Sequence, residues 1–74
     1  MNKQRRKDIA KVVQILREQK DELEMLKDEE QMAYDNLPEG IQMSDRGDEM
    51  EEYINMLDES IDSLEDAIIS IEDI

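Results

Sequence analysis

The sequence contains no cysteine, histidine, phenylalanine or tryptophan, and its only aromatic residues are Tyr34 and Tyr53. Without cysteine and histidine there is no Ser-His or Cys-His nucleophile system, no tetrahedral zinc site and no Glu-x-x-His motif of the kind that di-iron bundles use. The absence of cysteine also excludes disulfide bonds and is compatible with a reducing compartment. We therefore expect a non-enzymatic protein without catalytic residues, cofactor or metal site.

Long apolar runs are also missing. No stretch approaches the length of a membrane span, and Asp8 and Lys11 interrupt any signal-peptide core after the basic N-terminus. A chain of 74 residues forms one domain at most. Because large aromatic residues are absent, long helices packed through Leu, Ile, Val and Met suit it better than a compact globule. We expect a single unit over residues 1–74, located in the cytoplasm and making no contact with a membrane.

Charge is abundant but unevenly distributed. The net charge is −13, yet seven of the nine basic residues lie in the first twenty positions. From Pro38 onward there are thirteen acidic residues and one basic residue, Arg46. The basic N-terminus suggests nucleic-acid binding, but the neighbouring acids would neutralise it, so an internal electrostatic role is favoured. We therefore expect no direct binding to nucleic acid.

The clearest periodic pattern lies in the second half of the chain, where apolar residues recur at alternating intervals of four and three. They are Met50, Ile54, Leu57, Ile61, Leu64, Ile68 and Ile71. This heptad seam predicts a helix over residues 44–72, capped by Ser44 or Asp45 and favoured by Asp48 and Glu49 near the positive end of its dipole. One helix cannot bury its own stripe, so the seam must face another helix, and we expect its seven residues to form the oligomer seam.

Residues 5–36 are predicted to form a second long helix with a looser stripe. Val13 widens this stripe, and two of its positions are polar, Gln19 and Glu30. Its apolar members are Ile9, Val12, Leu16, Leu23, Leu26, Ala33 and Leu37. Two interpretations stay open: the stripe loosens toward solvent, or Gln19 sets the register or the oligomeric state.

Residues 37–43 are predicted to form the turn between the helices. Pro38 disfavours helix in the residue before it, and Gly40 allows a positive φ. Gly47 lies on the extended seam, where it either lets two backbones approach or is simply tolerated. Folding back at this turn brings residue 7 near residue 70, so the basic start meets Glu65, Asp66, Glu72 and Asp73. This charge match favours the antiparallel arrangement.

The predicted fold is therefore all-α: an antiparallel, coiled-coil-like hairpin of two helices. A hairpin of two helices leaves half of each apolar stripe exposed. We expect it to complete a four-helix bundle by self-association, as a homodimer or a higher oligomer.

Two features are candidates for binding a partner. The pair Met25 and Met32 could form an adaptable contact, although packing within an oligomer explains it equally well. The acidic face of the second helix could imitate nucleic-acid phosphates, since thirteen acids over ~42 Å give one charge per ~3 Å, against ~3.4 Å along a DNA strand. A solubilising surface would have the same composition. The acids of this face are Asp48, Glu49, Glu51, Glu52, Asp58, Glu59, Asp62, Glu65 and Asp66.

The run Asp35-Asn36-Leu37-Pro38-Glu39-Gly40, with Ser44-Asp45-Arg46-Gly47 and Met50-Glu51 after it, resembles small acidic proteins encoded by bacteriophages and prophages of Gram-positive bacteria. The opening Met1-Asn2-Lys3 with Arg5-Arg6-Lys7 is also similar. The resemblance implies a short accessory phage gene product that acts in the bacterial host cell. Inhibitors of host defence are frequent in that class, but no functional residue carries over.

Three functions are compatible with these patterns. The first is an acidic inhibitor that occupies the basic groove of a host nucleic-acid-binding or defence protein. The second is a structural or assembly protein whose helices only oligomerise. The third is a sponge for nucleotides, in which an oligomer holds its ligand with Arg5, Arg6, Lys7 or Arg46. Salt separates the first two, because binding to a basic groove should weaken steeply as ionic strength rises and assembly through the seam should not. A rise in melting temperature on adding a nucleotide would identify the third.

Overall fold

A computed structural model describes all 74 residues, and it consists of two long helices joined by a short one. Helix α1 spans Lys3–Asp35, α2 spans Glu39–Gln42 and α3 spans Asp45–Glu72. The long helices pack against each other, and α2 packs against α3. The predicted all-α fold with two long packed helices is confirmed. Neither long helix contains a stretch apolar enough to cross a membrane.

The long helices begin and end close to the predicted positions. Helix α1 starts two residues earlier than expected, because the side chain of Asn2 caps it by accepting a hydrogen bond from the backbone N–H of Arg5 at 2.7 Å. At the start of α3, Ser44 occupies the N-cap position but makes no side-chain cap. Its hydroxyl instead donates to the carbonyl oxygen of Ile41, which ties the start of α3 to α2.

The predicted turn is a helical corner. Pro38 has an extended ψ of 143° and caps α2, and Gly40 lies within that helix. No residue has a positive φ, so the prediction of a positive φ at Gly40 is wrong. The side chain of Gln42 donates a hydrogen bond at 2.9 Å to the carbonyl oxygen of Tyr34 in the last turn of α1, which also accepts one from the backbone N–H of Leu37 at 3.0 Å. The corner is therefore attached to both long helices.

Two ion pairs define the direction and register of the hairpin. The side-chain nitrogen of Lys20 lies 3.1 Å from a carboxylate oxygen of Glu65, and that of Lys27 lies 3.1 Å from Asp58. The long helices are therefore antiparallel, and in both pairs the residue numbers add to 85. The predicted register, residue 7 beside residue 70, adds to 77 and is wrong by eight residues. The extra turn of helix in α2 moves the point of chain reversal from Pro38 toward Gln42.

The seam of α3 faces α1 and supplies most of the core. Ile54, Ile61 and Ile68 are buried, and Ile68 is fully enclosed. The other four seam residues, Met50, Leu57, Leu64 and Ile71, are half-buried. Val13 is the only buried residue of α1. The seven residues predicted as an oligomer seam thus line the contact between the two helices of one chain.

On α1 the predicted stripe is wrong at four positions. Val12, Gln19, Leu26 and Ala33 are exposed, and the residue after each of them faces α3 instead. The contacting residues are Ile9, Val13, Leu16, Lys20, Leu23, Lys27, Glu30, Tyr34 and Leu37. Lysines fit this line because their aliphatic stems cover the seam while their ammonium groups reach the acids of α3. Because Gln19 is exposed, it does not set the register of this hairpin.

Gly47 lets α3 approach α2 closely. It is buried in the first turn of α3, and an added Cβ would lie 2.5 Å from the carbonyl carbon of Gln42 and 2.7 Å from its Cα. The close approach expected of this glycine is therefore present, and its neighbour is the corner helix rather than α1.

Candidate interaction surfaces

One flank of the hairpin carries all of its ion pairs, and we call it the paired rim. Besides the two pairs that set the register, Arg17 contacts both Glu65, at 3.5 Å, and Glu72. Lys20 also lies 3.6 Å from Glu24, one turn further along α1. The paired rim comprises the three bases Arg17, Lys20 and Lys27 and the four acids Glu24, Asp58, Glu65 and Glu72.

These contacts shift the pKa values of the groups that make them. The pKa of Glu65 is lowered, first by the Lys20 ammonium group that lies 3.1 Å from its carboxylate. The pKa of Lys20 is raised by the same contact, that of Lys27 by Asp58, and that of Arg17 by Glu72. The paired rim is thus a set of charge-assisted contacts that hold the hairpin in register, although Asp58 and Glu65 were predicted to bind a partner.

The remaining acids predicted to bind a partner are exposed and unpaired. They are Asp48, Glu49, Glu51, Glu52, Glu59, Asp62 and Asp66. Three of them, Glu52, Glu59 and Asp66, follow a seam residue by two positions, which is roughly 200° around the helix and therefore away from α1. Asp73 continues the same spacing of seven. We call these four residues the outer acid line; its members stand ~10.5 Å apart along the helix axis.

The density of free charge on α3 is lower than the sequence alone indicates. Three of the twelve acids between Asp45 and Asp73 belong to the paired rim, which leaves nine free acids. Over ~42 Å of helix this gives one charge per ~5 Å, against ~3.4 Å along one strand of DNA. A single α3 therefore carries fewer free charges per unit length than a nucleic-acid strand does.

Helix α1 adds acids on its own outer side, around the predicted methionine pair. Met25 and Met32 are exposed and also follow contacting residues by two positions, so they lie on the side of α1 opposite α3. The outer acid line and the methionine pair therefore occupy opposite sides of the hairpin. They cannot belong to one flat binding surface. The acids of α1 near the methionines are Glu18, Asp21, Glu22, Asp28 and Glu29.

The basic N-terminus extends past the end of α3, because the register places residue 11 opposite residue 74. Its five bases, which we call the basic end, make no ion pair with the rest of the chain: Lys3, Arg5, Arg6, Lys7 and Lys11. Only Arg17 and Lys20 meet the acids of α3 as the sequence predicts. Arg46 lies at the other end of a molecule 58 Å long, so within one chain it cannot share a ligand with Arg5.

The flank opposite the paired rim carries no charge over most of its length. In α1 each of its residues directly precedes a residue that contacts α3. In α3 its residues directly precede Ile54, Ile61 and Ile68, or continue that spacing of seven. A groove between Leu26 of α1 and Tyr53 of α3 shows that both helices form this surface, and Glu29 and Glu30 line the same groove at the edge of the face. We call it the neutral face; all eight members are exposed: Val12, Gln19, Leu26, Ala33, Tyr53, Ser60, Ala67 and Ile74.

Sequence reasoning missed the neutral face, although half of it was present as the apolar stripe assigned to α1. The signal on α3 is the spacing of seven from Tyr53 through Ser60 and Ala67 to Ile74, without a charge in an otherwise acidic helix. The pKa of Tyr53 is raised, first because its hydroxyl bonds the carboxylate of Glu49. This contact places the edge of the neutral face beside the acidic surface.

No group of three or more carboxylates is arranged to hold a metal ion. The chain thus offers four surfaces: a paired rim, an outer acid line, a basic end and a neutral face. Comparison with protein-family models, with curated proteins and with solved structures gives no match to this chain.

Proposed function

We propose that this protein is a non-enzymatic interaction protein that occupies the basic groove of a nucleic-acid-binding protein with the acidic surface of α3. The observation that carries this proposal is the outer acid line. Its four carboxylates have no basic neighbour within the chain, whereas the acids of the adjacent paired rim do. Free charges in a regular row are available to a partner, and charges already paired are not.

The helix holds these carboxylates in a fixed row before a partner arrives. A preformed row of charge attracts an oppositely charged groove and speeds association, as the phosphates of a nucleic acid do. Its charge density on α3 alone, one per ~5 Å, is below that of a DNA strand. The acids on the outer side of α1 face the opposite way, so they add to the long-range attraction but do not line a groove that holds α3.

The resemblance to small acidic phage proteins supports a more specific form of this proposal. In that form the protein is encoded by a phage, and its target is a basic nucleic-acid-binding or defence protein in the cytoplasm of the bacterial host. Displacing nucleic acid from such a target would inhibit it without any chemical step.

Self-association into a four-helix bundle is part of the same proposal. Only four apolar residues are buried in the single chain, while twelve large apolar side chains stay exposed. A second hairpin would cover part of that surface, as in bundles assembled from two helical hairpins. Assembly as the only function is the alternative that these exposed side chains favour. Salt separates the two, because apolar contacts do not weaken as ionic strength rises.

The test compares two variants that lose the same charge from different helices. The first neutralises three of the four members of the outer acid line, through Glu52→Gln, Glu59→Gln and Asp66→Asn. The matched control neutralises Glu18, Asp21 and Glu22 on the outer side of α1 by the equivalent changes. Immobilised wild-type protein and both variants are exposed to bacterial host lysate, and captured proteins are eluted with increasing salt. Each captured protein is then loaded with a fluorescent DNA duplex that the three proteins compete to displace.

The wild-type protein should capture a basic nucleic-acid-binding protein, release it as salt rises, and displace its DNA. The outer-line variant should lose about tenfold or more in competing concentration, because several charges act together in a groove, and the control should lose less. Equal competition by the wild-type protein and the outer-line variant would rule out this face as the binding site. Capture that resists salt would favour assembly alone.

A further inference from the structure

Exposed apolar side chains are concentrated on the neutral face. Val12, Leu26, Tyr53 and Ile74 are each about half exposed. Its borders carry the exposed apolar residues Ile15 and Met56 and, at the equivalent positions, the exposed acids Glu22, Glu29 and Glu49. On α1, the line that points toward this face, Val12 to Ala33, contains no charge, whereas the adjacent line against α3 contains Lys20 and Lys27. An amphipathic helix normally turns its apolar stripe toward a packed neighbour. Within one chain, half of that stripe has no neighbour.

The occupant that best fits this surface is a second copy of the chain. A two-fold contact places the same surface of both copies face to face, so any net charge on that surface meets its own sign. The outer sides of α1 and α3 are strongly acidic, and their self-contact would be repulsive. The neutral face is the long surface whose eight central residues carry no charge. Self-packing through it leaves the outer acid line of each copy exposed for a partner.

The size of the face is also sufficient. It runs along α3, ~42 Å at 1.5 Å per residue, and the hairpin is 15 Å across. The product, roughly 600 Å² of projected area, corresponds to a larger accessible surface and approaches the ~800 Å² per partner of a standard stable interface.

Charge along the hairpin determines how the two copies are oriented. The turn end, residues 28–57, carries ten acids and one base, a net charge of −9. The open end, residues 1–15 and 70–74, carries five bases and three acids, a net charge of +2. The basic end also lies at the N-terminus of α1, where the helix dipole disfavours positive charge. Placing each open end beside the other copy's turn end brings bases next to acids. This offsets the acidic excess of the turn end and the unfavourable helix dipole at the basic end, whereas aligning the two turn ends would add repulsion.

We infer, on the basis of the proposed self-association, that the neutral face is a homodimer interface in which two hairpins pack head to tail. Arg5 lies on the same flank, seven residues before Val12, so this packing brings it toward the acidic turn end of the other copy. Each basic end thereby gains the acidic neighbours that it lacks in the single chain. The dimer presents one outer acid line on each side.

Two adjacent residues provide a matched test of the face. Leu26 lies on the neutral face and is 47% exposed, and Met25 lies on the outer side of α1 and is 54% exposed. Leu26→Arg and Met25→Arg change the net charge equally. Leu26→Arg should raise the dimer dissociation constant by about tenfold or more, because it brings an unpaired charge into the interface, and Met25→Arg should leave it unchanged. Ala67→Arg, a change at an exposed position of α3, should act like Leu26→Arg while retaining wild-type helix content.

Orientation is tested by distance. The chain has no cysteine, so Lys3→Cys carries a single spin label at the open end. In the head-to-tail dimer the two labels should be separated by close to the 58 Å length of the hairpin. Labels that lie close together would show aligned hairpins and overturn the proposed orientation.

The possible outcomes separate this inference from the proposed function. A wild-type dimer that Leu26→Arg and Ala67→Arg dissociate, and Met25→Arg does not, supports the interface. If Met25→Arg dissociates the dimer and the other two do not, another face carries it. A wild-type monomer at about 100 µM, a concentration at which a specific dimer would form, overturns self-association. The DNA-displacement assay on the outer-line variant tests the acidic surface separately in each case.

Discussion

Gly47 and Gly40 offer the sharpest test of how the corner is built. Both lie in helices and neither has a positive φ, so alanine fits the backbone at each position. Their surroundings differ. A Cβ on Gly40 would meet nothing within 4 Å, whereas a Cβ on Gly47 would lie 2.5 and 2.7 Å from backbone carbons of Gln42. Carbon atoms in ordinary contact are ~3.5–4.0 Å apart, so α2 would have to move by roughly 1 Å.

The opposing contributions can be compared for Gly47→Ala. Overpacking of this kind costs ~1–3 kcal/mol, and moving Gln42 also weakens its hydrogen bond to Tyr34, worth ~1 kcal/mol. The higher helix propensity of alanine returns ~1 kcal/mol. We expect a net loss of ~1–3 kcal/mol for Gly47→Ala and a gain of ~0.4–1 kcal/mol for Gly40→Ala.

The assay is thermal unfolding followed by far-UV circular dichroism, at one protein concentration because association shifts Tm. In a domain of this size 1 kcal/mol changes Tm by ~4–8 °C, so the Tm values of the two variants should differ by roughly 6–30 °C. Gly40→Ala is the matched control, since it makes the same chemical change in the same corner. Should Gly47→Ala melt at or above the temperature of Gly40→Ala, the close packing of α2 on α3 would be refuted.

The remaining predictions concern the seam, the paired rim and the methionine pair. Ile61→Ala should cost ~2–5 kcal/mol, as truncations in a packed core do, and the exposed change Glu59→Ala should stay within ~0.5 kcal/mol; thermal melts in the reverse order would contradict the seam. The pKa of Glu65 is lowered from 4.5, so its contribution to stability is present above that pH and is lost as pH falls through the lower folded value. Glu65→Gln should therefore lower Tm at neutral pH and match the wild type more closely in acid; a Tm difference that does not change with pH would exclude this linkage. Replacing Met25 and Met32 together with Gln should alter neither dimerisation nor partner capture; loss of capture would show that recognition is hydrophobic.

The paired rim and the outer acid line belong to the same helix but have different physical roles. Asp58 and Glu65 stabilise the register through contacts to lysines whose stems lie in the seam. Glu59 and Asp66, each one position further along the chain, make no ion pair and remain free to attract a partner. A variant that neutralises all four would therefore mix a change in stability with a change in recognition. Removing only the outer line separates the two effects.

Much of the fold could be predicted from local patterns. The heptads from Met50 to Ile71 predict both the helix and the side of α3 that is buried, because only one stripe of that helix is apolar. Pro38 predicts the end of α1. Charge asymmetry favours antiparallel helices, and two ion pairs between α1 and α3 join residues in the antiparallel direction. The acids free to bind a partner could not be separated from the paired ones, because pairing depends on which residues of α1 face them.

The sequence by itself determined that this protein is helical, where its helices end and which side of α3 is buried, because these depend on neighbours within a few turns. Only the tertiary structure decided the rotation of α1, the register of the two helices and hence the neutral face. On α1 two adjacent lines, Val12 to Ala33 and Val13 to Tyr34, compete for the seam, and periodicity alone favours the more apolar one. The lysines of the second line can reach acids across the hairpin only at the register that α2 imposes. Packing of the corner on Gly47, together with those long-range ion pairs, therefore selects the line that local pattern disfavours and leaves the apolar one exposed.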